Sequence, residues 1–137
     1  MKTWKVADFG LTSLITVGNN LTNYSCGVDG YRAPELFREK SICSQKTDIW
    51  ALGCLAFEIV TRTKAFTTNF DVFAFVQESI NQSVNIPSLS HLGEGWTFWE
   101  RTVSNMLQIN DVERPSASVV LEEFRSQWKN IQIEIHQ

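Results

Sequence analysis

The chain has 137 residues, of which 43% are hydrophobic and 20% charged, and its net charge is −3. That is long enough for one domain with a sizeable core, and too apolar for a disordered chain. No basic stripe is evident, which argues against nucleic acid or an anionic membrane as partner. The most apolar run, "DIWALGCLAFEIV", carries Glu58 and is well short of the ~20 residues that a bilayer span needs. The N-terminus lacks a charged-then-apolar signal pattern. Cys26, Cys43 and Cys54 are odd in number and show no CxxC spacing. Reduced thiols fit best, hence an intracellular chain, cytoplasmic or nuclear.

In chain order, "TWKVADFGLTSLITV" is rich in β-branched and aromatic residues and predicts two short strands around a turn at Asp8-Phe9-Gly10. Gly18 to Gly30 is polar with Gly and Asn, which predicts a loop. Pro34 before "ELFRE" suits a short helix, since Pro is tolerated in a first turn. Lys46 to Thr61 is apolar on nearly every side and predicts a buried core helix, with Thr47 or Asp48 at its N-terminus. Three amphipathic helices follow. The first is Asn69 to Ile80, with Phe70, Phe73, Ala74, Val76 and Ile80 near helical spacing. The second, in "GWTFWERTVSNMLQ", places Trp96, Trp99, Val103, Met106 and Leu107 likewise. The third, opened by Pro115, carries Val119, Val120, Phe124 and Trp128. "NQSVNIPSLSHLGEG" separates the first two as a loop.

Alone, Asp8-Phe9-Gly10 is a weak signal. Its order with Ala33-Pro34-Glu35 in "GYRAPEL", with Asp48, Trp50 and Gly53 in "DIWALGC", and with Arg114 in "ERPSA" is stronger. The chain resembles the C-terminal portion of a eukaryotic protein kinase domain, from Lys5 to about Trp128. "GYRAPE" resembles the serine/threonine kinases. The resemblance implies a mainly α fold: a truncated kinase large lobe without the small β lobe. It implies an activation segment at 8–35, a buried central helix at 46–61, a helical subdomain at 69–128 and a C-terminal tail at 129–137.

The resemblance also assigns roles. Asp8 would hold Mg²⁺ against the ATP phosphates, Phe9 would set the active or inactive state, and Gly10 would give hinge freedom. Glu35 and Arg114 would form a buried, bidentate ion pair. Asp48 would accept hydrogen bonds from a catalytic loop, and Leu55 and Ile59 would support the apolar column beneath the adenine. Thr16, Thr22, Tyr24 and Ser25 fall in the activation segment as candidate phosphosites.

The departures are as informative. The Gly-rich loop, the strand Lys, its partner Glu and the catalytic loop are missing from the chain, and Val28 stands where these kinases usually carry Thr. The expected function is that of a protein serine/threonine kinase, inactive as this chain alone and without ATP or Mg²⁺ bound; the alternative is a non-catalytic, kinase-like protein-binding remnant. Partners would be a protein substrate or a binding protein. Self-association is a further expectation, through an exposed apolar patch near Trp50, Leu55 and Ile59, with Phe9 close by. His91 and His136 read as solvated, and Cys54 as core.

Overall fold

The computed structural model describes residues 5–10, 12, 27–38, 43–80, 89 and 96–135. Its helices are α1 (Gln45–Thr61), α2 (Asn69–Ile80), α3 (Thr97–Met106) and α4 (Ala117–Ile135), with 3-10 turns at Pro34–Phe37 and Asp111–Glu113. Among the described residues there is no strand. The two strands expected around Asp8 are therefore not found in Lys5–Phe9; residues 11 and 13–17 lie outside the described residues. A strand needs a neighbour for its N–H and C=O groups, and here Val6 is exposed instead.

The α1 helix starts one residue earlier than its sequence pattern suggests, because Ser44 caps it. Ser44 Oγ accepts from the Lys46 N–H at 3.1 Å, and Thr47 Oγ1 accepts from the Ser44 N–H at 2.9 Å. Thr47 thus completes a reciprocal cap and is not itself the cap. Asp48 lies exposed in the first turn, where a carboxylate favours the helix dipole. At the other end Arg62 adopts a left-handed conformation (φ 59°), and its N–H donates to the Glu58 carbonyl at 2.8 Å.

One face of α1 forms the core, through Ile49, Trp50, Cys54, Ala56 and Phe57. The opposite face is not covered. Leu52 is 41% exposed, Leu55 46% and Ile59 67%. The exposure of Leu55 and Ile59 matches the expected apolar patch, but Trp50 is fully buried and forms no part of it. Trp50 stacks on Phe66 (5.6 Å between centroids) and touches Phe75 (6.1 Å). Gly53 lets α3 approach: a Cβ there would stand 2.9 Å from Met106 Cβ and 3.0 Å from Leu107 Cδ2.

The α2 helix has the expected bounds but a different buried face. Val72 and Phe75 enter the core, while Phe70 and Phe73 are exposed. The Asp71 carboxylate accepts from the Thr67 and Thr68 N–H groups at 2.8 and 2.9 Å, which ties down the approach to the helix. On α3, Val103 and Met106 are buried, followed by Leu107, and Trp96 lies exposed before the first turn. Trp99 and Phe98 meet Phe124 edge-on at 5.2 and 5.4 Å, which docks α4. Val120 is buried there, but Val119 and Trp128 are exposed. The α4 backbone continues through Ile135, across most of the segment expected as a tail.

Candidate functional site

The segment 27–38 rests on the helical body through the Phe37 ring, 4.5 Å from that of Phe73 on α2, and through three polar fastenings. Glu35 and Arg114 make the deepest. Arg114 Nη1 donates to Glu35 Oε1 and Arg114 Nη2 to Glu35 Oε2, each at 2.7 Å. Nη1 also donates to the Lys46 carbonyl at 2.9 Å, Nη2 to the Ile109 carbonyl at 3.3 Å, and Nε to the Gln108 carbonyl at 2.7 Å. A guanidinium has five N–H donors, so none is left over. Lys46 Nζ donates in return to the Arg114 carbonyl. The guanidinium carbon stands 5.1 Å over the Trp50 ring, within cation–π range.

The second fastening is Tyr31. Its hydroxyl donates to Glu58 Oε2 of α1. That bond, together with burial and the negative charge beside it, raises the Tyr31 pKa above the ordinary phenol value. Lys64 Nζ lies 5.5 Å over the same ring. The third is Asn69 at the start of α2. Its Nδ2 donates to Asp29 Oδ1 at 2.6 Å, and its Oδ1 accepts from the Gly30 N–H at 3.4 Å. Gly30 has φ +80°, and a Cβ there would collide with the Phe66 carbonyl. Glycine is thus required twice at this position, by conformation and by space.

Asp8 stands apart. It is exposed, in a left-handed conformation (φ 66°), and its Oδ1 accepts from the Gly10 N–H at 3.4 Å. Phe9 is exposed too. Among the described residues no group of three or more His, Cys, Asp or Glu side chains is placed to hold a metal ion. Mg²⁺ asks for several oxygen ligands in near-octahedral array, so the described residues do not by themselves fit it. Thr16, Thr22, Tyr24 and Ser25 lie outside the described residues. Cys54 is buried on the core face of α1, and burial pushes its thiol pKa up to about 12. Tyr31, Glu58, Lys46 and Asn69 were not singled out by motif. The one legible signal was Glu58, the single charge in the apolar run from Ile49 to Thr61.

A helical body that grips an incoming segment through a buried Glu–Arg pair, with an Asp-Phe-Gly turn upstream, is the arrangement of a kinase large lobe. The profile described as protein kinase domain matches residues 1–124, and the chain belongs to that family. It is 31% identical over 118 residues to the "Probable serine/threonine-protein kinase nek3" of Dictyostelium discoideum, covering 86% of this chain and 10% of that protein. It is 27% identical over 119 residues to human "Serine/threonine-protein kinase Nek2", covering 86% of this chain and 25% of the relative. With the "Carbon catabolite-derepressing protein kinase" of Candida tropicalis it shares 27% over 119 residues, 87% of this chain and 18% of the relative. The chain thus spans between a tenth and a quarter of the length of these relatives. No helix among the described residues is long and apolar enough to cross a membrane.

Proposed function

We propose that the chain supplies the substrate-side portion of a protein serine/threonine kinase and does not transfer phosphate by itself. The observation that carries this reading is the Glu35–Arg114 pair, which anchors the end of the segment beginning at Asp8. The names of the relatives support serine and threonine as the acceptors. Phosphoryl transfer is mostly positioning and charge stabilisation. The described residues supply Asp8 as a candidate metal ligand and bring together no group of three or more His, Cys, Asp or Glu side chains that could hold a metal. ATP and Mg²⁺ are the cofactors that this reading implies, and Asp8 would be the group that faces the metal, which neutralises phosphate charge.

The experiment is a chimera in which this chain replaces the matched segment of human Nek2. The chimera should phosphorylate a generic serine/threonine substrate, and Asp8→Ala should abolish that. The isolated chain should show no saturable Mg-ATP binding in the micromolar range and no transfer. Transfer by the isolated chain, or a folded chimera without activity, overturns the reading.

A second reading is that the chain acts as a non-catalytic, protein-binding module inside the cell. The exposed row Leu52, Leu55 and Ile59 favours it. Soluble monomers rarely leave large contiguous apolar patches uncovered.

A further inference from the structure

We infer that Asn69 is a positioning residue for the protein substrate: its side-chain amide fixes the place of the turn Val28–Tyr31, against which the acceptor chain lies. The inference deepens the substrate-side reading and rests on it.

Four residues build the turn. The Tyr31 N–H donates to the Val28 carbonyl at 3.0 Å, and Gly30, third in the turn, has φ +80°. A type II turn needs a positive φ at this position, which favours glycine. Arg32 braces the turn. Its Nε donates to the Gly27 carbonyl at 2.9 Å, and its Nη1 lies 3.9 Å from Asp29 Oδ1. Val28 and Asp29 are exposed, so the turn presents a face to whatever lies beside the segment.

A turn closed on itself still has to be fixed on the body. Farther along, Tyr31 and Glu35 are held by Glu58 and Arg114. Asp29 and Gly30 are bonded to Asn69, 40 and 39 positions away, and both ends of the amide are used. Nδ2 donates to the Asp29 carboxylate at 2.6 Å, and Oδ1 accepts from the Gly30 N–H at 3.4 Å. A short side chain that donates from one atom and accepts on another is an amide. A carboxylate at this position would still answer Gly30 but would meet Asp29 as a like charge. Asn69 opens α2, whose Val72 and Phe75 are locked in the core, so the amide is carried on a rigid element.

Hydrogen bonds near the surface contribute modestly to net stability, because water competes for both partners. Orientation is more demanding: a misplacement of about 1 Å can cost about a hundredfold in rate. Loss of this tether should therefore be felt by the bound protein chain far more than by the fold. Mg-ATP should not feel it at all, since Asp8, the group that would face the metal, makes no contact with Asn69.

The test uses the Nek2 chimera, with kinetics measured separately for the protein substrate and for ATP, and circular dichroism melts beside them. Asn69→Asp sets two carboxylates against each other. It should raise KM for the protein substrate about tenfold, leaving kcat, KM for ATP and the melt nearly unchanged. Adding Asp29→Asn should restore the native KM, because donor and acceptor have then changed places. An active chimera whose protein-substrate KM does not respond to Asn69→Asp, or one that the second substitution does not rescue, overturns the inference and leaves the substrate-side reading standing. Equal rises in both KM values, or a lowered melt, would show a merely structural bond and overturn it likewise. A folded chimera without activity overturns both.

Discussion

Arg114 and Glu35 lie 79 positions apart and meet through two parallel 2.7 Å bonds, both residues being buried. The bidentate fork fixes both groups in one geometry. The three carbonyls of Lys46, Gln108 and Ile109 take the remaining donors. The pair therefore joins the segment before α1, the start of α1 and the turn before α4 at one point.

Arg114→Met should cost about 3–5 kcal/mol, since Glu35 would stay buried without its partner charge. That is a large fraction of the ~5–15 kcal/mol that holds a domain together. Urea unfolding followed by tryptophan fluorescence measures it. A loss under 1 kcal/mol would show that the segment is held elsewhere. The double variant with Glu35→Met should recover much of the loss, because no charge is then left buried.

How legible this was differs residue by residue. Glu35 and Arg114 could be matched because each sits in a short motif whose order along the chain is distinctive. The face of α2 could not be read from spacing. Phe70, Val72, Phe73, Phe75 and Val76 offer several overlapping apolar stripes, and the placement of Trp50 and Phe66 selects the one that carries Phe75, with Val72 buried on it. The cap of α1 was ambiguous because Ser44, Thr47 and Asp48 are all good capping residues. The strand expected just before Asp8 is not formed among the described residues for a different reason: β-propensity describes a pleated surface with neighbours, and the described residues provide none.

Tyr31 should leave an alkaline signature. Its pKa is raised above 10 chiefly by the hydrogen bond to Glu58, with burial and the nearby negative charge adding to it. Folding therefore favours the protonated phenol. The contribution is fully present below about pH 10, the unfolded value, and is lost as pH rises through the higher folded value. Urea midpoints of the native chain and Tyr31→Phe, compared from pH 8 to 11, should converge at the alkaline end. A constant difference across that range would mean that the hydroxyl does not titrate with folding.

Cys54 should be inert until the core opens. With its pKa pushed up to about 12 by burial, on the order of one thiol in ten thousand is ionised at pH 8. Iodoacetamide labelling at Cys54, read by peptide mass spectrometry, should be negligible in buffer and should rise with urea along the unfolding transition. Labelling that is fast in buffer would mean that α1 opens locally without global unfolding.

Gly30 and Gly53 should respond to alanine in different ways, although both are crowded. At Gly53 the obstacle is the α3 contact, with Met106 Cβ at 2.9 Å and a Leu107 methyl at 3.0 Å from the new Cβ. Alanine gains up to about 1 kcal/mol of helix propensity over glycine, but overpacking costs about 1–3 kcal/mol. The Gly53→Ala chain should therefore be less stable overall and lose protection in α1 and α3 together. At Gly30 the obstacle is the Phe66 backbone, and the left-handed φ of +80° adds strain that no side-chain shift relieves. Relief there comes from moving the segment away from Asn69 and Phe66. Gly30→Ala should thus raise hydrogen exchange in residues 27–33 while α1 and α3 keep theirs. Equal protection losses in both variants would show that the segment and the helical body unfold as one unit, and that the Asn69 tether is no weaker than the core.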